Sequence, residues 1–147
     1  MSNLSKYKGQ YQTIVEEYSP KNKVVMNSLR AFWVGGSICI LGQIITDVAM
    51  NYGMAKDDAA TLSSVLLILL STVLTGLNIY DNIGKYGGAG ALVPITGFAN
   101  SMVSSAMEFK TEGYVYGLGS KLFTIAGPVV VFGTIASVVV GIIYYFV

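Results

Sequence analysis

Four stretches of this chain carry no charged residue: 31–46, 59–80, 86–107 and 122–147. A helix rises about 1.5 Å per residue, so roughly 20 residues cross a hydrocarbon core of about 30 Å. The second and fourth stretches are that long and strongly apolar. The first reaches the length by running past Asp47 to about Met50. Charged residues make up only 12% of the chain and hydrophobic residues 53%, where a soluble domain carries roughly 25% charge. The pattern predicts an all-α, polytopic membrane protein with spans at about 23–50, 59–80 and 122–147. The chain contains no histidine and one cysteine, Cys39. That excludes Ser-His and Cys-His catalysis, histidine metal sites, internal disulfides and thiolate clusters. No enzyme activity, cofactor or bound metal is expected.

Charge is unevenly placed. Residues 1–30 hold Lys6, Lys8, Lys21, Lys23 and Arg30 against Glu16 and Glu17, a balance of +3. Residues 31–147 hold four lysines against six acids, a balance of −2. An excess this weak does not describe a nucleic-acid binder, but it does describe a topology signal. Five of the nine basic residues precede the first span, so the N-terminus is expected in the cytoplasm. Residues 1–22 form a separate N-terminal segment, and 23–147 a single membrane domain. Within the former, Tyr7, Tyr11, Ile14, Val15 and Tyr18 fall at helical spacing. They form a short amphipathic helix, suited either to the membrane interface or to a partner helix. Ser19-Pro20 ends it.

Each span carries a stripe of small or polar residues, which lets helices approach closely. On the first, Ser28, Gly35, Cys39, Gly42, Thr46 and Ala49 share a face, with Cys39 read as a packing residue. On the second the stripe is Thr61, Ser64, Ser71, Thr75, Asn78 and Asn82. The last span repeats it with Gly127, Thr134, Ser137 and Gly141. Gly35, Gly42, Gly127 and Gly133 are the expected helix-packing positions. Arg30-Ala31-Phe32 with Gly36 and Gly42 aligns with Lys121-Leu122-Phe123 with Gly127 and Gly133, at a constant offset of 91. Transporter-like folds often carry such repeats.

The third uncharged stretch, 86–107, is long enough to span but is interrupted by glycine, proline and polar residues. Gly87, Gly88 and Gly90 precede Pro94, which can open a helix at its first turn. After it, Gly97, Ser101, Ser104 and Glu108 share a face, with Thr96 and Asn100 nearby. A helix that starts inside a membrane presents free N–H groups and a positive dipole end to an anionic group. Non-helical backbone survives at that depth only when buried in protein or lining a wet cavity. Pro94, Thr96, Gly97, Asn100, Ser101, Ser104 and Glu108 are therefore the candidate pore-lining set. Asp81, Glu108 and Glu112 are too scattered in sequence for a catalytic carboxylate pair. If this segment crosses fully, basic residues divide six to three between the two sides. If it re-enters, they divide eight to one, which the positive-inside rule favours.

Four runs resemble the SpoVA membrane proteins of spore-forming bacteria: Phe32-Trp-Val-Gly-Gly-Ser-Ile-Cys-Ile-Leu-Gly-Gln43, Leu74-Thr-Gly-Leu-Asn-Ile-Tyr-Asp81, Gly88-Ala-Gly-Ala-Leu-Val-Pro-Ile-Thr-Gly-Phe-Ala-Asn-Ser101 and Glu108-Phe-Lys-Thr-Glu-Gly113. The resemblance covers roughly residues 20–147. The N-terminal extension and the Thr96–Ser101 wording are those of the AC type rather than the shorter AEb type. Lys21-Asn22-Lys23 departs from the proline-richer family pattern. The resemblance implies a channel or transport subunit of the inner spore membrane complex that moves dipicolinic acid with calcium. It also implies the soluble AD subunit and the membrane subunit AEb as partners. An assembly subunit that organises the complex without lining a path is the alternative.

Overall fold

The computed structural model describes residues 23–146 together with Tyr11, Ile14, Val15 and Tyr18. Those four are helical and exposed; the rest of the expected N-terminal amphipathic helix lies outside the described residues. All described elements are helical. Three are long and apolar enough to cross a membrane: α1 (Val24–Asn51), α2 (Lys56–Gly76), and α6 (Ser120–Phe146) with the π-helical turn Tyr114–Gly119 ahead of it. Between α2 and α6 the chain breaks into α3 (Tyr80–Gly87), α4 (Ala89–Leu92) and α5 (Ile95–Phe109). A 3₁₀ turn, Lys110–Glu112, follows α5.

α1 and α2 end in the same way. Gly53 takes φ +91° after α1, and Asn78 takes φ +58° after α2. In each case the next N–H reaches back to the third-last helical carbonyl: Met54 to Ala49 at 3.2 Å, Ile79 to Leu74 at 2.9 Å. These are Schellman caps, which need a residue that tolerates the left-handed region. Asn78 therefore ends the second span near Gly76, short of the expected Tyr80. Asp57 and Asp58 occupy the first turn of α2, where the helix dipole favours negative charge.

The buried stripe of α2 is Ala59, Ser63, Leu67, Ser71 and Thr75, one residue in every four. Its first half faces α1. Ser63 Oγ donates to the Gly42 carbonyl at 2.9 Å, and a side chain on Gly42 would press against Leu67 Cδ1 at 3.3 Å. Its second half faces α5. Ser71 Oγ donates to the Thr96 carbonyl at 2.6 Å, and Thr75 Oγ1 meets Asn100 Oδ1 at 2.9 Å. Both contacts span 25 residues. A constant offset over one helical turn means that α2 and α5 run in the same direction.

Two parallel helices so close in sequence require the chain between them to return to its starting end. α3 and α4 make that return against the N-terminal half of α1. Gly87 abuts Val34, Gly90 abuts the Ala31 backbone, and Gly35 lies 3.3 Å from the Gly90 carbonyl at its virtual Cβ. The third segment is thus a re-entrant hairpin, with its bend at Val93-Pro94. α6 then runs out along α5, with Lys121 Nζ 4.4 Å from the Phe109 ring centroid at its start. None of its residues is buried.

Candidate functional site

Pro94 caps α5 in extended geometry (φ −63°, ψ 166°), and its carbonyl receives the first α5 N–H bonds, from Gly97 at 2.9 Å and Phe98 at 3.4 Å. The bend can be this tight only because Gly97 has no side chain: a Cβ there would overlap the carbonyls of Ala91 and Leu92. The break also leaves carbonyls without their helical donors. The Tyr80 hydroxyl, buried at 3% exposure, lies 2.8 Å from the Ala91 carbonyl and 2.8 Å from Thr96 Oγ1. With the phenolic proton on the carbonyl, Thr96 can donate to the phenolic oxygen. Ser71 completes the knot on the Thr96 carbonyl. No buried side-chain polar atom among the described residues lacks a partner.

Below the knot, α2 ends at Gly76 while α5 runs on to Phe109, and a polar cleft of about 470 Å³ lies there. Asn100, Ser104 and Glu108 line one wall, one helical turn apart; Thr75, Asn78 and Asp81 line the other. Thr75 Oγ1 also lies 2.7 Å from the Ser71 carbonyl, so its single proton can serve either that carbonyl or Asn100. The Asp81 carboxylate receives a hydrogen bond from Lys85 Nζ at 2.6 Å in an exposed pair. The cleft therefore offers two carboxylates, two amides and two hydroxyls. Asn can donate and accept, whereas an ionised carboxylate only accepts. Among the described residues no three acidic or cysteine side chains converge as metal ligands.

The seven residues of the sequence-derived set do not share one cavity. Asn100, Ser104 and Glu108 line the polar cleft. Thr96 is buried in the knot. Gly97 and Ser101 border an apolar cleft between α5 and α6, beside Phe98, Ile125 and Val129, and Ser101 Oγ donates to the Phe98 carbonyl at 2.8 Å. Pro94 sits half-buried at the bend. Of the glycines, Gly35 and Gly42 meet α4 and α2, while Gly127 and Gly133 face open space. Cys39 is exposed rather than packed. Asp81 and Glu108, scattered in sequence, come to the same cleft. Asn78 and Tyr80 are the site residues that sequence reasoning undervalued. A C-terminal asparagine two residues before a tyrosine, ahead of a glycine-rich break, was the available signal.

A family model described as SpoVAC/SpoVAEB sporulation membrane protein matches residues 27–143, which run from the first turn of α1 to the last turn of α6. The chain belongs to this family. Among SpoVAC/SpoVAEB relatives, stage V sporulation protein AC of Bacillus subtilis (strain 168) is 43% identical over 143 residues, covering 97% of this chain and 95% of that one. No solved structure matches the chain significantly. For a SpoVAC/SpoVAEB protein, then, the structure supplies three apolar helices, a re-entrant hairpin and a polar cleft at its base.

Proposed function

We propose that this sporulation membrane protein is a conducting subunit of the inner spore membrane complex that moves dipicolinic acid with calcium, and that the cleft beside α5 lies on the path. One observation carries the reading: a broken, glycine-lined helix returns to its own end of the bundle and lays Asn100, Ser104 and Glu108 along a polar cleft. Membrane proteins tolerate interrupted helices chiefly where they line substrate paths or are buried in protein. The amide groups of Asn78 and Asn100 suit a dicarboxylate, and the oxygens of Glu108 and Asp81 suit a hydrated calcium ion. The N-terminus faces the spore core, and the AD and AEb subunits are its partners in the complex. Here the chain moves substrate without transforming it.

A second reading, a non-conducting assembly subunit, is favoured by the Thr75–Asn100 contact and by the burial of Thr96. Those contacts use polar groups as glue between helices. Reconstitution separates the two. Liposomes carrying this chain with its partner subunits should release calcium dipicolinate, and Asn78→Gly should slow that release while the subunits still co-purify. Glycine keeps the left-handed cap and removes only the amide from the cleft. Unchanged release by Asn78→Gly and by Glu108→Gln would leave the assembly reading in place.

A further inference from the structure

An apolar cavity of about 530 Å³ lies between α1, α2 and α3, lined by Trp33, Ser37, Leu41, Leu70, Leu74 and Ile83 among others, and it opens on the side of the bundle. Tyr86 is part of its lining. The same ring borders a second cavity of about 420 Å³, which is polar and holds Arg30, Lys85, Ser28 and Gly88. The two cavities are adjacent, with Tyr86 in the wall of both. Arg30 lies on the same face of α1 as Trp33 and Ser37, one and two turns before them, so the cationic cavity lies next to the apolar one along that helix.

Depth and charge define what fits. Arg30 and Lys85 are the last charged residues before the uncharged stretches 31–46 and 86–107, which puts both at headgroup level. The Arg30 guanidinium rests over the Tyr86 ring, 5.1 Å from its centroid. That contact sets the cation over a ring rather than on an acceptor oxygen, and leaves guanidinium N–H donors available. Lys85 gives one N–H to Asp81 and retains two. We propose that this composite groove binds one anionic phospholipid, with its phosphate between Arg30 and Lys85 and one acyl chain alongside Trp33. The order from charge to hydrocarbon along the groove is the order within the lipid. A transmembrane helix, whether a second copy or another subunit, would fill the apolar part but has no use for two cations at its mouth. A zwitterionic lipid would bring a cation of its own toward a site where only Asp81 could receive it.

Trp33 is the chain's single tryptophan, so its fluorescence reports on this groove. The full chain in mixed micelles is titrated with phosphatidylglycerol or phosphatidylcholine carrying brominated acyl chains, which quench tryptophan on contact. The anionic lipid should quench at lower mole fraction, by about fivefold for each cation engaged. Arg30→Gln and Lys85→Gln should each remove about that factor, and Arg30→Lys should retain most of it. Lys110→Gln/Lys121→Gln, the same charge loss elsewhere, should leave the preference intact. Equal quenching by the two lipids overturns the proposal. So does loss of the preference in the Lys110/Lys121 variant, and so does a Trp33 shielded from both lipids in a chain that migrates as an oligomer. If Arg30→Gln loses helicity, Lys85→Gln, whose side chain is exposed, decides alone.

Discussion

α2 and α6 are both helices of spanning length, and α6 is the more apolar of the two. Yet α2 buries five residues and α6 buries none. The difference follows the polar and small residues rather than the hydrophobic ones. Lipid tails are as apolar as leucine, so a leucine gains little by leaving them, whereas a serine that finds a carbonyl gains a hydrogen bond. α2 places Ser63 on Gly42 and Ser71 on Thr96. The corresponding groups of α6 make no contact with another helix among the described residues. Thr124 bonds the Ser120 carbonyl of its own helix at 2.8 Å, and Gly127, Gly133 and Gly141 have nothing within 4 Å of a virtual Cβ. The chain is thus a tight unit of α1, α2 and the hairpin, with one long helix presented outward.

The comparison breaks most sharply at the hairpin glycines. Gly90→Val and Gly97→Val each drive a side chain into backbone, at Ala31 and at Ala91-Leu92. Overpacking of this kind costs about 1–3 kcal/mol or more, and backbone cannot move aside as a side chain can. Thermal unfolding in detergent should show these as the most damaging substitutions. A melting point for Gly97→Val equal to that of wild type would show that the bend has room for a side chain.

Next in size is the hydrogen-bonded knot. Tyr80→Phe keeps the ring and removes the hydroxyl that serves the Ala91 carbonyl and Thr96. Leaving a buried carbonyl unpaired costs about 1–3 kcal/mol. Ser71→Ala should cost a similar amount, and Thr124→Ala on α6 close to nothing. Equal losses at Ser71 and Thr124 would mean that the contrast between the two helices is not set by hydrogen bonding. On α1, Gly42→Leu should destabilise more than Ile38→Val, because an added side chain at Gly42 runs into Leu67 and Ser63 of α2.

Much of this architecture was legible in the chain itself. Uncharged length gave the three spans, and Pro94 with Gly87, Gly88 and Gly90 marked the break. The basic-residue count favoured re-entry, and the 25-residue offset of the α2–α5 contacts shows the geometry it anticipated. What periodicity could not supply was the division of the α5 face. Thr96 and Gly97 lie in the first turn after the bend, where the chain has not yet left its neighbours, so they are buried. Asn100 meets the last turn of α2, and Ser104 and Glu108 lie past its end at Gly76, so they reach the cleft. Sequence spacing places residues on a face of a helix, but not at the depth where that helix diverges from the next. The stripe on α2 held at Ser71 and Thr75 but was misplaced in its first half. Ser63 rather than Ser64 or Thr61 is buried, because a step of four residues drifts slowly around the helix and follows a tilted neighbour.

The smallest effect on the chain alone is expected at Gly127 and Gly133, and it is the most informative about the rest. Leucine at either position meets open space, and replacing glycine inside a helix favours helix by up to about 1 kcal/mol. The melting point of the isolated protein should therefore hold or rise slightly. A small-residue face on an otherwise apolar helix is the usual signature of close helix approach, and none of the described residues comes within 4 Å of a Cβ placed on Gly127, Gly133 or Gly141. If α6 is where the partner membrane subunit docks, Gly133→Leu should reduce co-purification of that subunit from detergent while leaving the melting point of the isolated chain unchanged. If both readings stay at wild type, α6 faces lipid alone, and the interface must be sought on the exposed faces of α1 and α2. That result would also separate the assembly and conducting roles, because a subunit that organises a complex needs a contact face and one that lines a path needs the cleft. The pair Gly133→Leu and Asn78→Gly tests each face without disturbing the other.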